Sequence, residues 1–507
     1  MLNTIENICR EYYVKYNEDN ILYNKKIGFN EVLILIITAI GIITICSKSS
    51  FLYPFNDWVD ANCFFTVGKS MMNGLVVYKD LFEQKGLLLY FIHGLAWFIS
   101  NDTFIGVYIF EVIACFIFLL YSYKIMRLYC DSRIILMIPI MAIFIYTSNA
   151  FCHGDSAEEL CFPFLTYSLY ISLKALVKNK FISNRELLII GMTAGCVFWI
   201  KFTLVGFYIG WFITLAIIII MDKNFKKLFY TLLYIILGIF IVTIPIIIYF
   251  VSNNAFIDLL KVYFYDNIFL YNSSSSNNII ISVFFNLLRG VKYFLKRNFL
   301  MSLFILVSFV WVFIIEKKEI LFHIIGIVCS TFFFIFVGSV RFPYYSFLMY
   351  IFSVFGFIFI FQIIQKYNFV KHIKIQSLYI ITFFCIIISS FLTPNRYLLG
   401  VDKEELPQYK FKDIISKEEN PTLLNYGFLD GGFYTTCNII PNCKAFCKIG
   451  APIKEMLELQ EYYVENGICD FVVTRDEKFD FEKYDCIYST SFYFEEETRD
   501  YYLYKLK

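Results

Sequence analysis

Charge is scarce in this sequence of 507 residues: only 17% are Asp, Glu, Lys or Arg, whereas 59% are hydrophobic. Soluble domains contain about a quarter charged residues, so this composition excludes an ordinary soluble enzyme and predicts a polytopic helical membrane protein. Histidine is rarer still, with four residues, of which we interpret His93 and His153 as isolated. The 15 cysteines are scattered, and we recognise no metal-ligand set. Residues 1–28 are polar, so we expect no cleavable signal peptide.

Positive charges at the ends of the apolar runs predict the direction in which each run crosses the membrane. Two lysines precede the first run, so we expect a cytoplasmic N-terminus and an outer loop over residues 47–102. The run 87–100 is too short to span and should lie along the outer surface. The run 187–221 is too long for one helix, and we divide it at Lys201. The pattern predicts an all-α, multi-pass protein of the cell membrane, with about eleven transmembrane helices plus outer juxtamembrane helices.

The character of the chain changes after residue 394, and we predict a domain boundary there. Residues 1–394 are expected to form the transmembrane catalytic domain, and residues 395–507 a small extracytoplasmic α/β domain. In the second part, two short runs (PTLLNYG and DFVVT) resemble strands, a helix-like stretch ends at Gly467, and the last residues resemble a hairpin. Within the first part, the polar stretch 272–278 is typical of a mobile loop.

By this topology the unusual polar groups collect on the outer side of the membrane. They are Asp57, Asp60, Asp80, Glu83, Lys85, Asp155, Glu158, Glu159, Lys201 and Arg341. An acid with basic neighbours suits a reaction in which a hydroxyl is deprotonated and a phosphate leaves. The carboxylate would be the general base, and the cations would stabilise the charge that grows on the leaving phosphate.

Each of these groups also has a structural interpretation. Asp60 precedes an apolar-aromatic stretch and could cap a helix. Asp57 suits a cap or turn, Asp80 suits a solvated turn, and Lys85 precedes an interfacial helix, where lysines reach lipid headgroups.

The remaining groups lie nearer to the predicted spans. Glu158 and Glu159 adjoin each other at the top of a span, where each acid costs ~2.5 kcal/mol or more at depth, so a functional role is harder to dismiss. Lys201 and Arg341 could be topological anchors. Glu111 lies inside a span and could be a buried, protonated structural acid.

The stretch 54–90 resembles the first outer loop of GT-C glycosyltransferases, which include protein O-mannosyltransferases and bacterial aminoarabinose transferases. The shared layout reads here as Asp60 after the first span, a helix ending near Gly74, Tyr78-Lys79-Asp80, Phe82-Glu83-Gln84-Lys85-Gly86, and a second helix at 87–100. Gram-positive family-39-type members are similar further on, at Ala157-Glu158-Glu159, Ile200-Lys201-Phe202 and Arg341-Phe342-Pro343-Tyr344-Tyr345. Leu87 stands where the family often has Pro, and Asp57-x-x-Asp60 replaces the usual acidic doublet.

The resemblance implies an integral membrane, inverting glycosyltransferase that uses a sugar on a polyprenyl phosphate at a site facing away from the cytoplasm. It implies Asp60 as the base and Glu158 or Glu159 as a second catalytic acid. The candidates for substrate binding are Asp57, Asp80, Lys85, Lys201 and Arg341. The partners implied are the lipid-linked donor, membrane lipid and a hydroxyl acceptor of the cell envelope, either glycan or protein, with no nucleic acid. No cofactor is implied with certainty, and a divalent cation is left open.

Two other classes of protein compete with the enzyme. A lipid-linked oligosaccharide flippase, transporter or polymerase should place its ionisable residues near the bilayer midplane, often with inverted repeats. Here those residues cluster outside, and we see no internal repeat. A receptor that displays an outer domain would need far fewer spans than this sequence predicts.

Overall fold

The computed structural model describes residues 26–270, 279–315, 317–367, 374–448, 453–494 and 497–507, and the predicted loop 272–278 lies outside these residues. The helices of the membrane part are α1 (Phe29–Cys46), α2 (Val59–Met72), α3 (Leu87–Trp97), α4 (Ile105–Met126), α5 (Met137–Tyr146), α6 (Ala157–Val177), α7 (Asn184–Ile200), α8 (Gly206–Met221), α9 (Phe225–Ser252), α10 (Ile279–Arg297), α11 (Phe299–Ile315), α12 (Lys318–Phe336), α13 (Val354–Lys366) and α14 (Ile375–Leu392). Short 3-10 segments precede α5, α8 and α13, at Ser132–Leu136, Phe202–Val205 and Pro343–Ser353, and a π-helix covers Leu259–Leu270.

Every apolar run that was expected to cross the membrane forms a helix. Eight helices among the described residues are long and apolar enough to span, or nine if α10 and α11, bent by 107°, count as one broken span. These eight do not include α5, α7 and α11, which are 10, 17 and 17 residues long, although their apolar runs are among the roughly eleven spans expected from the sequence. Helix α3, at ~1.5 Å per residue, is likewise far too short to cross, as predicted for a helix that lies along the surface.

The long run 187–221 is interrupted where the sequence predicted. Helix α7 ends at Ile200, and Lys201 has an extended backbone with φ −158° and ψ 103°. The interruption leaves carbonyls at the end of α7 without partners inside the helix. One of them, Ile200 O, accepts a hydrogen bond from Gly86 N in the outer loop, at 3.1 Å. The break therefore joins the middle of the membrane part to the loop that precedes α3.

The C-terminal part contains a small mixed sheet with helices beside it. Its helices are α15 (Pro407–Ile415), α16 (Phe433–Thr436) and α17 (Lys454–Asn466), and its strands are β1 (Leu423–Asn425), β2 (Phe471–Arg475), β3 (Tyr484–Phe494) and β4 (Glu497–Leu506). The strand order is β1-β2-β4-β3, with β1 parallel to β2 and the other neighbours antiparallel. Helix α17 ends at Gly467, whose left-handed φ of 65° favours glycine. The α/β character is therefore as predicted, whereas the domain boundary at 394 stays a prediction.

The C-terminal part packs directly on the outer loop through buried polar contacts. Lys69 of α2 donates a hydrogen bond to Tyr434 O at 2.8 Å, and Thr66 donates to Asp430 at 2.6 Å. Burial raises the pKa of Asp430, and the hydrogen bond from Thr66 opposes that shift. These contacts hold α2, which carries Asp60, between the membrane helices and the sheet.

Candidate active site

Asp60 lies in the first turn of α2 and is half-buried. The N-cap of this helix is Trp58, so Asp60 is not the capping residue. The positive end of the helix dipole favours a carboxylate at this position. Its Oδ2 accepts a hydrogen bond from the hydroxyl of Tyr344, at 3.0 Å. Asp60 is thus held by one donor while it remains partly open.

Lys201 and Glu158 form a buried ion pair beside this helix. The ammonium of Lys201 lies 2.6 Å from Oε1 of Glu158, and the side chains are 11% and 1% exposed. The same ammonium lies over the rings of Tyr344 and Tyr345, 5.4 Å and 4.1 Å from their centroids. Tyr344 therefore contacts both Asp60 and Lys201. Charged groups this deeply buried persist only when they are paired.

Lys85 joins the same group because Gly86 allows the loop to approach the break in α7. A Cβ atom at Gly86 would lie 1.9 Å from Trp199 O, so only glycine fits there. Lys85 and Asp60 lie close enough to interact electrostatically with both Lys201 and Glu83. Burial raises the pKa of Glu83, and the neighbouring charge of Lys85 opposes the shift.

A pocket of about 100 Å³, which we call the lysine pocket, opens at this group. Lys85, Glu158, Lys201 and Tyr345 line it with polar atoms. Its apolar walls are Leu204, Phe334, Ile335 and Val337. Two cations beside an apolar wall suit an anionic headgroup that carries a hydrocarbon tail.

Arg341 lies near the lysine pocket, but its guanidinium forms hydrogen bonds with residues outside it. Its guanidinium donates hydrogen bonds to Ser339 O at 2.9 Å and to Asn286 O at 3.2 Å. The preceding residue, Val340, lines the pocket. The structure therefore places Arg341 at the rim, rather than beside the two lysines.

Asp57 and Asp80 have partners outside the lysine pocket. Asp57 pairs with Lys48 at 2.6 Å, and its other oxygen accepts a hydrogen bond from the Tyr397 hydroxyl at 2.8 Å. Asp80 accepts a hydrogen bond from Val76 N at 2.7 Å within its own loop. This contact within the loop agrees with the structural interpretation of Asp80 as a turn residue.

Glu159 points away from Glu158 and joins a second buried group. The backbone N–H of Asp155 donates to Glu159 at 2.9 Å and to Glu111 at 2.8 Å. His93 Nε2 lies 3.0 Å from both carboxylate oxygens of Asp155. The prediction that His93 is isolated is therefore wrong. The fold brings His93 beside Asp155, which is 62 positions away in the sequence, and no local spacing reveals that contact. Burial raises the pKa of Asp155, and His93 opposes this.

Sequence reasoning also missed two tyrosines of the site. We named Tyr344 and Tyr345 only as part of the motif that begins at Arg341 and gave them no role, yet they contact Asp60 and Lys201. Both tyrosines belong to the motif Arg341-Phe342-Pro343-Tyr344-Tyr345. Their place in that motif was the signal in the sequence that could have identified them as site residues. No cluster of three or more metal-ligating side chains was found in the part of the chain that the structure describes.

Membrane helices surround the lysine pocket, and a small α/β unit packs on the loop that carries Asp60. The structure is similar to the crystal structure of ArnT from Cupriavidus metallidurans bound to undecaprenyl phosphate. The TM-score is 0.60 over 93% of this chain and 96% of that chain, with 10% sequence identity. The likeness confirms the expected fold class, a polytopic helical fold of GT-C type with a small α/β part.

The sequence also matches a family model. The chain belongs to the family described as "Putative competence-induced protein Ccs4 N-terminal domain", whose model matches residues 24–300, more than half of the chain. No curated protein matches the sequence.

Proposed function

We propose that this protein is an integral membrane glycosyltransferase that moves a sugar from a polyprenyl-phosphate donor to a hydroxyl of an extracytoplasmic acceptor in the cell envelope. The observation that carries the proposal is that Lys85 and the Glu158–Lys201 pair line one pocket, while Asp60 interacts electrostatically with Lys201 and bonds Tyr344, whose ring faces the same ammonium. Asp60, Glu158 and the two lysines come from three separate segments of the chain and supply a base and two cations together.

The two lysines would hold the phosphate of the donor. Lys201 is oriented by Glu158 and by the ring of Tyr345, and Lys85 is carried by a loop that is bonded to the end of α7. Preformed cations that face a developing negative charge stabilise the transition state without reorganisation. Arg341, at the rim, would make a secondary contact to the donor.

The donor's hydrocarbon tail has a place beside this pocket. An apolar cavity of about 510 Å³ lies among α7, α8 and α9, and its lining includes Phe198 and Val205. These two residues flank the break at Lys201, and the adjacent Leu204 lines the lysine pocket. A lipid whose phosphate binds Lys201 could therefore lay its first isoprene units in the apolar cavity.

The transfer would follow from this arrangement in one displacement. Asp60 accepts the proton of the acceptor hydroxyl as its oxygen attacks the anomeric carbon of the sugar. The bond from that carbon to the phosphate oxygen breaks, and polyprenyl phosphate leaves with the electron pair toward Lys85 and Lys201. Attack opposite the leaving group inverts the anomeric configuration.

The test is transfer of radiolabelled sugar from a polyprenyl-phosphate donor by the purified full-length protein, with and without a chelator. We expect Asp60→Asn to lower the rate about 10²–10⁴-fold, the usual effect of a positioned general base. Asp102→Asn is the matched control, because Asp102 lies in the same outer loop and pairs with Lys412 on the surface. Full activity of the Asp60 variant would remove the proposed base.

The proposal also requires the C-terminal part to face outward. Cys486 of β3 is exposed and provides a native reporter. An impermeant thiol reagent applied to intact cells should label the wild-type protein more than the Cys486→Ser variant. Equal labelling of the two, with a difference that appears only after cell lysis, would contradict the proposed orientation.

A further inference from the structure

A second and larger cavity lies next to Asp60, because the preceding residues Trp58 and Val59 line it. We call it the arginine cavity; its volume is about 740 Å³, within the range of about 300–1,000 Å³ typical of ligand sites. The outer loops of the membrane part line one side, and strands β2 and β4 line the other.

Asp60 and Tyr344 are neighbours of residues that line the two spaces. Trp58 and Pro343 line the arginine cavity, whereas Tyr345 lines the lysine pocket. The rings of Trp58 and Tyr344 are 5.3 Å apart, and Tyr344 bonds Asp60. The carboxylate therefore lies beside residues that line both spaces.

The charge of the arginine cavity is positive. Its lining carries four cations, Lys48, Arg297, Arg475 and Arg499, and two acids, Asp57 and Glu497. Lys48 is neutralised by Asp57, whereas Arg499 pairs with Glu497 and with Asp476, which also faces Arg475. Arg297 is exposed and has no acidic partner among the residues that the structure describes. One positive charge therefore remains uncompensated even when Asp476 is included.

Aromatic and hydroxyl groups complete the lining. Trp58, Tyr397 and Tyr501 all line the cavity. Aromatic faces pack against the C–H faces of sugar rings, and amide groups such as that of the exposed Asn149 bond to polyols. A neutral apolar ligand would remove water from the charged lining without pairing with it, which is costly.

We propose that the arginine cavity is the acceptor subsite and that it takes an anionic, polyhydroxylated chain, a glycan or polyol that carries phosphate or carboxylate groups. This inference rests on the proposed transferase function and names its acceptor class. An acceptor hydroxyl reaches Asp60 from the side of Trp58, while the donor sugar reaches the same point from the side of Tyr345. Arg297, Arg475 and Arg499 bind the acceptor's negative groups, so the C-terminal sheet contributes directly to acceptor binding.

The test measures binding without any donor, so that it is independent of transfer. Three oligomers of equal length are titrated into the full-length protein in nanodiscs: a polyol phosphate, a uronic-acid glycan and a neutral glycan. We expect the anionic oligomers to bind at least about tenfold more tightly than the neutral one, since charge-assisted hydrogen bonds are the strong ones. The stronger of the two anionic ligands identifies the source of the charge.

Variants connect that binding to the cavity. Arg297→Gln and Arg499→Gln should each weaken binding of the anionic oligomer about tenfold, since a hydrogen bond to a charged group contributes about this much. Lys292→Gln is the matched control, because Lys292 is exposed on the same helix as Arg297 and is absent from the cavity lining. Unchanged melting temperatures show that the variants are folded.

The outcomes separate the two proposals. Equal binding of neutral and anionic oligomers, or binding that responds to Lys292 and not to Arg297 and Arg499, overturns the inference about the acceptor. If the anionic oligomer binds as expected and no sugar is transferred from any polyprenyl-phosphate donor, the subsite stands and the transferase function fails. Transfer to a neutral glycan alone supports the function and refutes the anionic acceptor.

Discussion

Replacing Lys201 with Met should destabilise this protein far more than an ordinary surface substitution. The ammonium lies 2.6 Å from Glu158 Oε1, and the Glu158 side chain is only 1% exposed. The other carboxylate oxygen of Glu158 has no hydrogen-bond partner in the described part of the chain. Lys201→Met would therefore leave a buried, unpaired carboxylate, and removal of one partner of a buried pair costs about 3–5 kcal/mol.

The same geometry predicts that Glu158→Gln lowers the free energy of unfolding less than Lys201→Met does. It also predicts that the double variant regains part of the stability lost in Lys201→Met. The Lys201 side chain is 11% exposed and its ammonium faces two tyrosine rings. Water and these rings therefore still stabilise the ammonium when Glu158 is replaced by a neutral residue. The double variant contains no buried charge at this place. We expect it to be more stable than Lys201→Met alone, with a coupling free energy of about 2 kcal/mol or more.

The assay is a double-mutant cycle on the unfolding of four purified proteins in the same detergent, without donor. Losses that simply add in the double variant would show that the two side chains are not coupled. A Lys201→Met protein as stable as the wild type would refute the reasoning altogether. Because the measurement contains no substrate, it tests the ion pair apart from any catalytic role.

Three further predictions concern the outer loop. Gly86→Ala should cost about 1–3 kcal/mol of stability and abolish transfer, because its Cβ would meet Trp199 O at 1.9 Å; full activity in a transfer assay would contradict this. Mild thiol oxidation should link Cys63 to Cys447, whose Sγ atoms are 3.8 Å apart, and mass spectrometry of unreduced peptides should detect the bond. Burial lowers the pKa of Lys69 from 10.5 to about 8. The folded state therefore binds fewer protons than the unfolded state between these values, so stability should rise with pH there, and the Lys69→Met variant should lose that rise in unfolding measurements at a series of pH values.

Much of the fold was predictable because each helix is encoded locally. Apolar length located a helix in every run that was expected to cross, and excess length located the break at Lys201. The bounds of the helices were less predictable, since an apolar run shows hydrophobicity without showing where its helix begins and ends. In the C-terminal part, strand-like runs and Gly467 marked elements that the structure contains.

The site was predictable in its residue types and less so in its pairings. Asp60, Lys85, Glu158 and Lys201 were chosen because charge near a bilayer is costly, and the fold brings them together. The bond between His93 and Asp155 spans 62 positions, and that between Asp57 and Tyr397 spans 340. Such pairs depend on tertiary packing, and no periodicity or spacing in one sequence reveals them.

The junction between the outer loop and α7 explains how two lysines that are distant in the sequence come to line one pocket. The extended backbone at Lys201 frees Ile200 O, and Gly86 N donates to that carbonyl at 3.1 Å. Any side chain at Gly86 would strike the backbone of Trp199, so the approach depends on glycine. The positions of Lys85 and Lys201 are consequently set by a backbone hydrogen bond rather than by flexible side chains. A phosphate would meet cations whose placement is fixed before it binds, which is the condition under which electrostatic stabilisation of a leaving group is most effective.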